Sequence, residues 1–353
     1  MRYQVGVLLA TVMSLVGLSS CSMFRSAIAP PPQPLPTQIP IQTNNVIGLF
    51  FVKKDNTTGN YRGELLPIAV RLNGQYVDAS QDITLDSRNP VLLDNLVQNY
   101  ADRSVLKAVS EFTLINQAQA VGRFKVAQFG ATPLACSAFV VGQGTVQAAT
   151  LSDLYKTLPE TRTNTYQGKL GDRSFDESSR WLFAAHQYTL TPVRLTTHRD
   201  EAQYKQDLLA AANPLFAAAK ESQTVTGATV VERVQVFDLD HDGEPEVLGM
   251  VRKGSEPESV PPTARGRSQT TAYMNLWLTY KTEQPTVLAH EVVAWQIPVS
   301  RRPYEVLEVL DLDQDGRDEV IVRNLGYESY SFGIHTLQDG TLKPVFTGTN
   351  YGC

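Results

Sequence analysis

The chain has 353 residues, of which 42% are hydrophobic and 19% charged, with a formal net charge of −5. That composition is ordinary for a globular protein, and slight acidity without a basic patch excludes a nucleic-acid-binding footprint. The length leaves room for more than one domain.

At the start, Arg2 precedes an apolar run from Val5 to Leu18. A run this short falls below the roughly 20 apolar residues that span a hydrocarbon core, so residues 1–20 read as a secretory signal peptide. Leu18-Ser19-Ser20-Cys21 resembles the bacterial lipobox. The resemblance implies that Cys21 is acylated, with chains such as palmitate, and becomes the first mature residue. Each buried methylene then contributes roughly 0.8 kcal/mol to membrane attachment. By resemblance to Gram-negative lipoproteins, Ser22 behind the modified Cys implies transfer to the outer membrane. The expected location is the extracytoplasmic side of the cell envelope, with the rest of the chain soluble.

Residues 21–44 read as a tether, because Pro30, Pro31, Pro32, Pro34, Pro36 and Pro40 favour an extended polyproline helix. Beyond Cys21 the remaining cysteines are Cys136 and Cys353, an even pair in a compartment that tolerates disulfides. They form either a long-range bridge or two separate thiols.

Residues 45–196 are expected to form an α+β domain. Ile68 to Val77 predicts a hairpin, because Asn73-Gly74 lies between alternating apolar residues and both turn positions need positive φ. Leu92, Leu93, Leu96, Val97 and Tyr100 recur at helical spacing after Pro90, and Phe112 to Ile115, Gly122 to Phe129 and Ser137 to Val141 predict strands. Gly142-Gln143-Gly144 reads as a turn, since no third glycine follows at nucleotide-loop spacing. Residues 197–226 read as a helical connector that follows Thr197, with Asp200 three residues later completing a capping box. Its buried stripe is Leu208, Leu209, Ala212, Leu215 and Phe216, with a break or kink at Asn213-Pro214.

Residues 227–353 contain a repeat displaced by 73 residues, from Asp238 to Asp311. Asp238-Leu239-Asp240-His241-Asp242-Gly243-Glu244-Pro245-Glu246 returns as Asp311-Leu312-Asp313-Gln314-Asp315-Gly316-Arg317-Asp318-Glu319, with carboxylates at positions 1, 3, 5 and 9 and Gly at 6. A hard cation takes about six to eight oxygens at roughly 2.3–2.6 Å, and alternate side chains of a tight loop can turn onto one ion. Calcium is the expected cofactor. Strands are predicted around each loop: Val230 to Phe237, Val247 to Val251, Ala272 to Tyr280 and Val287 to Trp295, then Tyr304 to Leu310, Glu319 to Val322, Tyr330 to Leu337 and Leu342 to Phe346. The expected fold is mainly β, with an α+β N-terminal region and two four-stranded antiparallel blade-like repeats at the C-terminal end.

Strand, D-x-D-x-D-G-x-x-[DE], strand resembles the FG-GAP and VCBS-type repeats of integrin-like β-propellers. The resemblance implies that Asp238, Asp240, Asp242 and Glu246 ligate one calcium with the Glu244 carbonyl. Asp311, Asp313, Asp315 and Glu319 would ligate a second with the Arg317 carbonyl. The chain departs from the pattern in carrying Glu at position 9, where Asp is common. Two copies are also too few to close a ring, so either the region before Gly227 supplies degenerate blades or, the preferred reading, the two sheets pack on each other and on the upstream domain. An EF-hand is excluded, since its bidentate Glu at position 12 is replaced by Gly249 and Val322.

None of the five histidines forms a catalytic pattern, and His290-Glu291 lacks the second zinc-ligating His. His241 is expected to be solvated. Trp181, Trp277, Trp295, Tyr327, Tyr330 and Phe332 are either core or sugar-stacking residues, and Gly254 to Ser268 is an irregular insertion. The function expected is a lipid-anchored, calcium-binding envelope protein, a role that needs no catalytic constellation, whose β repeats present a surface to a protein or glycan or assist envelope assembly. The alternative is an extracytoplasmic hydrolase with calcium as a structural ion.

Overall fold

The computed structural model describes residues 43–79, 105–134, 137–159, 163–170, 173–188, 195, 199–254, 271–295, 303–325, 329–348 and 351–352. The signal peptide, Cys21, nearly all of the tether, the helix expected near Pro90, Cys136, Cys353, Thr197, Tyr327 and nearly all of the insertion after Gly254 lie outside the described residues.

Eight strands form the first sheet: β1 Thr43–Asp55, β2 Tyr61–Leu72, β3 Gln75–Asp78, β4 Glu111–Asn116, β5 Gln119–Leu134, β6 Ser137–Gln147, β7 Thr163–Leu170 and β8 Arg173–Ala185. The path β1-β2-β6-β5-β4-β8 returns to its start because β1 also pairs with β8, Phe50 opposite Leu182. These six strands make a closed barrel, with β3 and β7 as outriders. Closure removes the sheet edges and leaves an interior narrow enough for side chains to fill. Val46, Phe50, Val52, Phe112, Phe124, Leu182 and Ala184 fill it.

The α+β expectation for residues 45–196 is corrected here. Among the described residues of that span the α-helix is a single short one, α1 Leu151–Thr157, whose cap Thr150 accepts from the Asp153 N–H at 3.1 Å. Gly142-Gln143-Gly144 is likewise no turn, since it lies within β6. A Cβ on Gly144 would stand 1.9 Å from the Lys125 carbonyl oxygen, beside a register shift in β5 between Val126 and Gln128. Glycine there admits a close backbone approach at a bulge.

Two further sheets follow. The first blade comprises β9 Thr229–Phe237, β10 Glu246–Lys253, β11 Thr271–Thr279 and β12 Thr286–Trp295, paired in chain order and antiparallel. The second comprises β13 Glu305–Leu310, β14 Glu319–Leu325, β15 Ser329–Gln338 and β16 Thr341–Thr347, with β17 Tyr351–Gly352 added against β15.

Alternation along the strands sorts the apolar residues into layers. On β8, Leu182 and Ala184 face the barrel interior, while Trp181, Phe183 and Ala185 join Ile321, Phe332 and Ile334 of the second blade. On β14, Val320 and Val322 turn the other way and meet Leu248 and Trp277 of the first blade. The far face of the first blade is covered by α2 Glu201–Ala218 through Tyr204, Leu208, Ala212 and Phe216. The order is therefore barrel, second blade, first blade, helix.

Helix α2 is capped by Asp200, whose carboxylate accepts from the Gln203 N–H at 2.7 Å, and it runs through Pro214. The expected break does not occur. The carbonyl that Pro214 leaves without a donor belongs to Ala210, and both residues are exposed, so water can replace the missing bond.

Candidate metal centre

The two acidic loops connect β9 to β10 and β13 to β14. Glu246 faces Phe237 and Glu319 faces Leu310 in matching registers. The Leu239 N–H donates to Glu246 Oε2 at 2.8 Å, and the Leu312 N–H donates to Glu319 Oε2 at 2.7 Å. Gly243 and Gly316 each donate to the first aspartate, Asp238 or Asp311, at 3.1 Å. The backbone can curl this tightly because His241 and Gly243 take φ of 55° and 89°, matched by Gln314 and Gly316 at 62° and 85°.

Single oxygens of Asp238, Asp240 and Glu246 lie within 4.8 Å of one another, as do those of Asp311, Asp313 and Asp315. Asp242 and Glu319 stand outside these converging sets. Asp242 accepts from the Glu244 N–H at 2.9 Å, and Asp315 accepts from the Arg317 N–H at the same distance. The Arg317 side chain turns away and donates to the Leu337 carbonyl at 3.2 Å. Among the described residues these are the two groups of acids, histidines or cysteines that converge as a metal site would require.

Burial dominates the electrostatics. It raises the pKa of Asp238, pushes Glu246 up to about 7 and pushes Glu319 up to about 8, where Asp313 adds repulsion. Such shifts mark carboxylates short of positive charge. Two side chains that the repeat gives no hint of supply part of it. The Lys281 ammonium contacts Asp240 and lies 2.8 Å from Asp242; burial opposes its charge, but the two aspartates outweigh this and raise its pKa. Arg71, on β2 of the barrel, donates to Asp313 Oδ2 at 2.7 Å.

Further contacts tie the loops together. The Asp318 N–H donates to the Leu239 carbonyl at 2.7 Å. His241, expected in solvent, instead brings Nε2 to 3.2 Å from Asp318 Oδ1, with its side chain only 18% exposed. Thr279 donates to Glu246 Oε1 at 3.0 Å. Asp318 was visible in the sequence as a fifth acid at position 8, but Lys281, Arg71 and Thr279 come from elements distant in the chain.

The donor set is all oxygen, which suits a hard divalent cation. The fit is best in the first loop, where Asp238 Oδ1 and Asp240 Oδ1 are buried without a hydrogen-bond partner. Unsatisfied buried carboxylate oxygens are costly, and a cation removes that cost. A cleft of about 390 Å³ opens beside the second loop, lined by Asp313, Asp315, Glu319, Tyr76, Thr336 and Val345.

Trp181, Trp277 and Phe332 are at most 3% exposed and belong to the core, so they offer no sugar-stacking platform. His186 Nδ1 lies 2.8 Å from the Glu111 carbonyl, and His335 sits edge-on to Tyr304. Among the described residues no helix is long and apolar enough to cross a membrane. Compared with known proteins, the chain matches no family model, no curated protein and no solved structure.

Proposed function

We propose that this protein is a lipid-anchored, calcium-binding component of the cell envelope, whose paired β repeats present an interaction surface to an envelope protein or glycan. The observation that carries the calcium assignment is the pair of buried, unpartnered oxygens of Asp238 and Asp240 within a converging carboxylate group. Matching backbone cages around both loops support an ion in each. The strand-loop-strand context agrees with the resemblance to FG-GAP and VCBS-type repeats, while the two blades stack face to face instead of ringing an axis. The ligands would be Asp238, Asp240 and Glu246 in one loop and Asp311, Asp313 and Asp315 in the other, with the Glu244 and Arg317 carbonyls. The role is structural. An ion that neutralises a buried acidic bend holds adjoining strands in register, and at ten times its dissociation constant it adds about 1.4 kcal/mol per site. Acylated Cys21 would supply the membrane attachment.

Thermal melting of the full-length protein in detergent tests the metal. Calcium is expected to raise the midpoint by several degrees over chelator, and coincident curves would sink the assignment. For the anchor, Cys21→Ser is expected to abolish lipid labelling and membrane retention.

A further inference from the structure

The two acidic loops share a backbone but not a state of satisfaction. In the second, Asp311 receives the Asp315 and Gly316 N–H groups at 3.2 and 3.1 Å, while Asp313 receives the Asp315 N–H at 3.1 Å and Arg71 at 2.7 Å. In the first, Asp238 is 3% exposed and its Oδ1 has no partner, and Asp240 Oδ1 is likewise buried and unpartnered. Spare oxygen lone pairs are therefore concentrated in the first loop.

The neighbouring cations differ in the same sense. Lys281 opens the bend 281–284 between β11 and β12, and its side chain is 39% exposed. A flexible four-carbon stem at such a bend can carry its ammonium into water by rotamer changes alone. Arg71 sits within β2, is 18% exposed and lies 6.0 Å from the centre of the Tyr76 ring. Its withdrawal would disturb the β2–β3 hairpin, where Arg71 pairs with Tyr76.

We propose that the first loop is the exchangeable divalent-cation site of this protein and that Lys281 is its built-in competitor, leaving Asp240 and Asp242 when an ion binds. The inference rests on the calcium assignment above and ranks the two loops within it. Lysine offers donors and no acceptor, so it cannot join the coordination shell; it either blocks the carboxylates or withdraws. The free-state occupancy of the loop by Lys281 reduces the apparent ion affinity by the fraction of molecules in which it is bound. In the second loop, by contrast, Arg71 keeps one oxygen of Asp313, so an ion there has fewer ligands at its disposal and binds more weakly.

Calorimetric titration of the full-length protein in detergent with calcium chloride tests this, using Lys281→Met and Arg71→Met variants. The tighter step is expected to strengthen about tenfold in Lys281→Met, the scale of two partly exposed ion pairs, and to stay unmoved in Arg71→Met. A second measurement needs no variant. Acylation of Lys281 by an amine-reactive ester, read by mass spectrometry against Lys205, is expected to accelerate severalfold when calcium is added. If calcium binds but Lys281→Met leaves or lowers the affinity and labelling ignores calcium, the competitor role is overturned and the calcium assignment stands. If neither wild type nor variant takes up calcium, both fall together.

Discussion

The barrel and the blades handle buried charge differently. Among the described residues the barrel buries one acid, Glu64, which pairs with Lys53 and Arg62 from its own strands. The blades bury Asp238, Glu246, Glu308, Asp311, Asp318 and Glu319. Closure satisfies the barrel's backbone, and side chains such as Phe50, Phe112 and Phe124 fill its interior, so its core is held by apolar packing. The blades are open sheets whose tight bends gather more negative oxygen than their own cations balance. On the calcium proposal, solution ions act on the blades and leave the barrel's own core untouched.

The largest expected effect breaks the barrel. Gly144→Ala drives a methyl into the Lys125 carbonyl at 1.9 Å, where backbone and not a movable side chain blocks it. A loss of about 3 kcal/mol or more is expected, read as a fall in the urea midpoint that is equal in calcium and in chelator. Rescue by calcium would contradict the proposal that the ion acts on the blades alone.

An intermediate effect separates the blades by pH. Burial lowers the His335 pKa from 6.5 to about 4. A histidine harder to protonate when folded costs nothing above its unfolded pKa; as pH falls from about 6.5 towards 4 the unfolded chain binds the proton first, and stability drops. Glu246 and Glu319, raised to about 7 and about 8, act in the opposite sense because the folded chain holds their protons more tightly, so the signal lies in the difference: the urea midpoint of wild type is expected to fall relative to that of His335→Asn across that window. A variant with the same slope as wild type would show that His335 is not the titrating group.

The smallest effect sharpens the comparison at the join. Arg71→Met removes the barrel's cation from Asp313, where both side chains are less than one-fifth exposed. A loss of about 1–2 kcal/mol is expected in chelator, the scale of a hydrogen bond to a charged group, and less in calcium. Equal losses in both conditions would mean that the arginine and the ion do not share Asp313.

The blades were the most legible part of the sequence. Alternating apolar runs interrupted by Asp-rich bends determine their strands locally, and β9–β16 lie within a few residues of the predicted runs. The barrel was not legible as such. Stretches such as Leu65 to Val70 are buried on both sides, which erases the alternation that identifies one-faced strands, and the β1–β8 closure joins residues far apart in the chain. At the candidate site the carboxylates were visible from spacing alone. Their countercharges were not, because Lys281 reaches across from the β11–β12 bend and Arg71 lies 242 residues from Asp313. Pro214 does not end α2 for a related reason, since the carbonyl it orphans, that of Ala210, lies where water can reach it.

The layer order has a bearing on how the chain acquires its structure during synthesis. The second blade is the last of these elements to emerge, yet it is the middle layer, covering the outer wall of the barrel with Ile321, Phe332 and Ile334 and the first blade with Val320 and Val322. Until residues 305–347 have been delivered, Trp181 and Phe183 on one neighbour and Trp277 on the other lack the layer that covers them, although Trp277 keeps its contact with Phe237. A chain cut short before β13 would leave both faces uncovered, and uncovered apolar faces of this kind are what make partly folded chains associate.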